Sequence, residues 1–154
     1  MNETSTPCVQ RLVKSERGFT LVELLATIVI LGIIAAIAVP AIGNIMENSK
    51  KEAHLANAEQ IIEAARLKVT SDGGTSDADI TLNELVTAGF LSSIPKVPGD
   101  DSNSYHKDES KVVISKDGNQ VIYSVLLTDG TTAYVANDNG SPVAQGDLDT
   151  SKVN

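Results

Sequence analysis

Between Arg17 and Glu47 the only charged residue is Glu23, and Leu, Ile, Val and Ala dominate the run. The 23 residues from Leu24 to Met46 make a helix roughly 35 Å long at 1.5 Å per residue, enough to cross a hydrocarbon core of about 30 Å. This predicts a membrane-spanning helix. After Pro40 the pattern changes. Glu47-Asn48-Ser49-Lys50-Lys51-Glu52 is polar all round; then Leu55, Ala58, Ile62, Ala65 and Val69 recur at spacings of three and four, with Ile61 beside them. One apolar stripe of that kind predicts that the helix continues over 47–70 and lays one face against a globular head. Ser71-Asp72-Gly73-Gly74-Thr75-Ser76-Asp77 reads as a loop.

The head, residues 71–154, opens on a short helix. Thr81 and Glu84 are spaced as a capping box, Ile80 and Leu85 as a hydrophobic staple, and Gly89 is the expected stop. Pro98 to Ser104 is rich in turn residues and reads as a connection. Three strands follow at Lys111–Ser115, Val121–Leu127 and Thr131–Ala136, joined through Asp117-Gly118 and Asp129-Gly130; Asp-Gly between β-branched runs favours an antiparallel meander. The polar segment from Asn137 to Asn154 reads as a lightly packed edge. The fold class is thus α+β: a long N-terminal helix packed on a small antiparallel sheet of about three strands.

Charge narrows the function. Arg11, Lys14 and Arg17 precede the apolar run, which places that end on the cytoplasmic side and the head outside. The chain carries a net charge of −8, and removing residues 1–18, with three basic and two acidic side chains, makes it −9. Such a surface repels nucleic-acid phosphate, so direct nucleic-acid binding is not expected. His54 and His106 lack paired ligand spacing and read as solvated residues, and no nucleophile elbow, phosphate loop or zinc spacing is present. Asp100-Asp101 with Asn103, Asp108-Glu109, and Asp138 with Asp147 and Asp149 offer oxygen ligands for calcium without the spacing of an EF-hand loop; they read as solubilising charge, with calcium as the alternative. The chain reads as a non-enzyme.

A secretory signal places its small-residue cleavage site after the apolar run. Here the small residue, Gly18, comes before it. Gly18-Phe19-Thr20-Leu21-Val22-Glu23-Leu24-Leu25, behind a basic leader, resembles the class III signal of type IV pilins and type II secretion pseudopilins. The resemblance is dense from Gly18 to Pro40. It implies that residues 1–18 are a leader removed by a membrane prepilin peptidase, which cuts between Gly18 and Phe19 and N-methylates Phe19. Residues 19–46 would then form the transmembrane and filament-core helix.

A carboxylate at a membrane span is costly and functional by default. Glu23 either pairs with the α-amino group created at Phe19, its own or a neighbouring subunit's, or reaches back to the cytoplasmic interface. The resemblance further implies bending or local melting between Gly32 and Pro40 in the assembled state, a homopolymer at the cell surface, and a separate cytoplasmic ATPase and assembly platform. The sole cysteine, Cys8, falls in the leader; without a head disulfide the chain looks most like a Gram-positive pilin or a pseudopilin. The uses that stay open are adhesion, motility or DNA uptake; the nearer alternative is the major pseudopilin of a secretion system, and the distant one a membrane-tethered extracellular binding module.

Overall fold

Helix α1 runs from Leu21 to Ser71, 51 residues with Pro40 inside it. It belongs to a computed structural model that describes residues 20–74 and 78–154. Two compact units divide the chain, Met1–Ala41 and Ile42–Asn154. In the first, the described helix carries its apolar side chains outward. The second has the core.

That core begins where the helical stripe does. Ala58, Ile61, Ile62, Ala65 and Val69 are buried on one side of α1 and share a cluster with Ile80, Leu82, Leu85, Val112, Ile114, Val125, Leu127, Val135 and Val143. Strand β1 (Ala78–Thr81) leads directly into helix α2 (Leu82–Thr87). At the start of α2 the Thr81 hydroxyl accepts from Glu84 N at 3.2 Å and the Glu84 carboxylate accepts from Thr81 N at 3.1 Å, the reciprocal capping box the sequence predicts. Ile80 and Leu85 are both buried, as a staple requires. Gly89, at φ 81°, ends the helix in the left-handed conformation that side chains disfavour.

The sheet is larger than the expected three strands. β4 (Lys111–Asp117) and β5 (Gln120–Thr128) form the central antiparallel pair, from Lys111↔Leu126 to Asp117↔Gln120. β1 adds along β4, with Ala78 opposite Ile114 and Thr81 opposite Lys111. The other edge of β5 is shared by β6 (Ala133–Val135), at Leu127 and Thr128, and β7 (Val143–Ala144), at Ser124 and Val125. This makes five strands, all antiparallel in their pairings. Val112 and Ile114 alternate with half-buried or exposed neighbours, so one face covers α1 and the other meets water.

Two further expectations need correction. The stretch read as a connection at Pro98–Ser104 is half of a second small sheet, β2 (Lys96–Val97) paired with β3 (Asp100–Ser104) across the Pro98-Gly99 turn. The C-terminal segment is no loose edge: Val143 and Val153 are fully or almost fully buried, and Val153 bridges Val135. Its polar residues make the turns. Asp149 caps a short 3-10 turn by accepting from Ser151 N at 2.7 Å, and Asn137 Nδ2 donates to the Pro142 carbonyl at 2.8 Å.

Candidate functional site

The site the sequence singles out is the start of α1. Gly18 and Phe19 lie outside the described residues. Thr20 and Glu23 are described, and they hold each other. The Glu23 carboxylate accepts from Thr20 N at 2.8 Å and from the Thr20 hydroxyl at 2.9 Å, while that hydroxyl accepts from Glu23 N at 3.2 Å. This is a capping box, a Thr followed three residues later by a Glu, and it satisfies orphan amides at the helix start. The spacing Thr20-x-x-Glu23 was available in the sequence as a helix-start signal beside its reading as part of a processing motif. One turn on, the Thr27 hydroxyl donates to the Glu23 carbonyl at 2.8 Å, so it enters the apolar stretch with its proton satisfied.

From Leu21 to Met46 every large apolar side chain is at least 53% exposed. Leu, Ile and Val point outward around the whole circumference, including Ile28, Ile30, Ile33, Ile34 and Ile37. A helix apolar all round needs lipid or other protein around it. Gly32 and Pro40 both sit within the continuous helix, and beyond the backbone of its own turns no atom of the described residues comes within 4 Å of the position a Gly32 side chain would take. Among the described residues, nothing requires glycine there.

The head holds a second cluster, which corrects the reading of His54. The residue is 3% exposed. Nδ1 lies 2.6 Å from the Tyr105 hydroxyl, and the imidazole stacks on Tyr134 with centroids 4.7 Å apart and planes 15° apart. Asn57 Nδ2 also donates to the Tyr105 oxygen, at 3.4 Å. Burial holds the His54 pKa down at about 4, so the ring is neutral at pH 7. With Asn57 donating to the Tyr105 oxygen, the tautomer that satisfies the tyrosine proton leaves Nδ1 as its acceptor. Burial likewise pushes the Tyr105 phenol up to about 12. His54 stands four residues before Ala58, so the apolar stripe itself, extended by one turn, points to its burial. His106 is only half-buried, and its Nδ1 accepts from Glu109 N at 3.2 Å.

The acidic residues considered for calcium are spread over separate turns. Asp100 accepts from Ser102, which holds its carboxyl below the usual range, and Asp149 is held low by Ser151 in the same way. Among the described residues, no three His, Cys, Asp or Glu side chains gather as a cation site.

A family model, the prokaryotic N-terminal methylation motif, matches residues 13–39. The chain carries the class III signal of type IV pilins and pseudopilins. The matched segment runs from the basic stretch containing Lys14 and Arg17 through the capped start of α1 and along the outward-facing apolar run as far as Val39. No solved structure matches the chain. The match is to this N-terminal motif alone, and it supports a pilin- or pseudopilin-type precursor. The apolar helix behind it is long enough to anchor the precursor in a membrane.

Proposed function

We propose that this protein is a structural pilin subunit, stored as a single-pass membrane precursor and polymerised into a type IV pilus-like filament at the cell surface. Residues 1–18 are the cytoplasmic leader, cut between Gly18 and Phe19, and Phe19 receives the N-methyl group. Residues 19–46 form the membrane and filament-core helix, 47–70 its extramembrane continuation, and 71–154 the head. The observation that carries this reading is the capped, all-round apolar helix that begins two residues after the matched Gly18-Phe19 junction.

Lipid tails are as apolar as leucine, so moving this helix from bilayer to filament gains little from hydrophobicity alone. Packing and charge must decide the exchange. Cleavage would create an amine at Phe19, one peptide unit from the Thr20 amide that Glu23 already accepts. In a filament core of apolar helices that amine and the Glu23 carboxylate are one positive and one negative charge per subunit. Leaving either bare is far costlier than pairing them, so pairing between neighbouring subunits sets the axial register. The repeated contact is heterologous and generates an open helical polymer. Gly32 and Pro40 weaken the helix where it must adapt, since proline withholds an amide and glycine adds backbone freedom. A cytoplasmic ATPase and a membrane assembly platform supply the work of extraction.

Immunogold microscopy of sheared surface material tests the assignment. Long fibres labelled by an antibody to the head support the pilus; label confined to the cell envelope, with a defect in protein export when the gene is deleted, supports the pseudopilin reading that shares the same motif.

A further inference from the structure

His54 is the first buried residue of α1 in chain order, and its partners come from two other elements. Tyr105 directly follows β3, where its own amide donates to the Pro95 carbonyl at 3.3 Å, closing the base of the β2–β3 hairpin. Its ring packs edge-on to Tyr134 of β6, with centroids 6.1 Å apart and planes at 71°. The Tyr134 hydroxyl donates to Asp129 at 2.8 Å, and Asn103 of β3 donates to the same oxygen at 3.3 Å. The contact between His54 and Tyr105 therefore ties the helix to the hairpin.

We infer that His54 is a proton-operated latch: protonation of its ring releases Tyr105 and frees the β2–β3 hairpin from α1 while the five-stranded sheet stays folded. A proton on Nδ1 turns the acceptor into a donor aimed at the Tyr105 oxygen. That oxygen already accepts from Asn57, and the tyrosine proton loses its acceptor inside a buried site.

The groups around the ring do not offset this. From the β3–β4 segment it faces Tyr105, with His106 next in the chain; from β6 it faces Tyr134, backed by the Asp129 carboxylate on the β5–β6 turn, with Asp100 of β3 also acting on Tyr134. On its own helix Lys50, one turn earlier, lies against the turn at Gly99. Among the described residues, no carboxylate comes within ion-pair distance of the His54 nitrogens. Stacking on the Tyr134 face favours an imidazolium, but it is a single contact against burial and the lost hydrogen bond.

The test is native-state hydrogen exchange on the full chain in detergent micelles, at pH 7.5 and pH 5, over a series of low urea concentrations. With His54 depressed to about 4 when latched and near 6.5 when released, the released population rises about 25-fold between these conditions. After correction for intrinsic rates, the Tyr105 amide and those of β3 lose about 25-fold in protection at pH 5, independently of urea. The core amides of β4 and β5 exchange through a separate, urea-sensitive opening. His54→Gln, which keeps an acceptor and cannot charge, abolishes the pH response of the hairpin. If that variant does not fold, NMR titration of both histidines in the wild-type chain decides. A hairpin midpoint that follows the His54 ring supports the latch; one that follows His106, or hairpin and core amides sharing one opening at every urea concentration, overturns it.

Discussion

Glu23 has two roles to separate, and a pair of substitutions separates them. As a capping residue its side-chain oxygen accepts from Thr20 N and the Thr20 hydroxyl. A glutamine oxygen does the same, because the capping box accepts Glu or Gln at this position. Glu23→Gln therefore keeps the helix start and removes only the charge, whereas Glu23→Ala removes both. Loss of the cap alone changes helix stability by about fivefold, and by no more than about thirtyfold, which the exposed end of a long helix tolerates. In the proposed filament, loss of the carboxylate strands the Phe19 amine in an apolar core, and this is expected to cost about a hundredfold or more in the subunit concentration needed for polymer. Both variants are therefore expected in the membrane fraction at wild-type level, with unchanged helical circular dichroism, and both absent from sheared filaments. Immunoblots of the two fractions measure this. If Glu23→Gln assembles normally while Glu23→Ala does not, Glu23 acts as a cap and the charge-pairing argument fails.

Three further outcomes concern the head. Ile62→Ala empties a fully buried site between helix and sheet and is expected to cost about 2–5 kcal/mol, read as a lower denaturation midpoint with an unchanged urea slope; a loss below about 1 kcal/mol would contradict the packing described. Thr81→Ala removes the α2 cap and is expected to destabilise by about 1 kcal/mol, while Thr81→Ser stays close to wild type. Acid weakens the head through His54: the unfolded chain takes up a proton near pH 6.5 and the folded chain only near 4, so stability present above pH 6.5 is lost as pH falls to about 4, by about 3 kcal/mol in total. Denaturation at pH 7 and pH 4.5 checks the sign, and a more stable head at pH 4.5 refutes it.

Much of the architecture follows from strong local patterns. The stripe from Ala58 to Val69, the cap of Thr81 with Glu84, the stop at Gly89 and the β4–β5 pair all rest on residues close in sequence. What escaped depends on distant partners. β1 and β7 have four and two residues, too few to show a period of two, and they exist because β4 and β5 offer edges. Val143 and Val153 lie in a largely polar segment, and their distant partners, Val125 of β5 for Val143 and Val135 of β6 for Val153, explain their burial. His54 escaped because a lone histidine is read as polar, although the helical period puts it on the buried face and Tyr105, 51 residues on, completes its hydrogen bond. At the start of α1, residues from Thr20 to Glu23 carry a helix cap and part of a processing motif at once, and one pattern masked the other.

The proposed role stands on the new end that processing creates in front of the apolar helix. Mass spectrometry of the mature protein from native cells reads that end directly. The mature chain is expected to start at Phe19, to carry one methyl group on its α-nitrogen and to have lost residues 1–18. An intact leader, or a cut at any other bond, would contradict it.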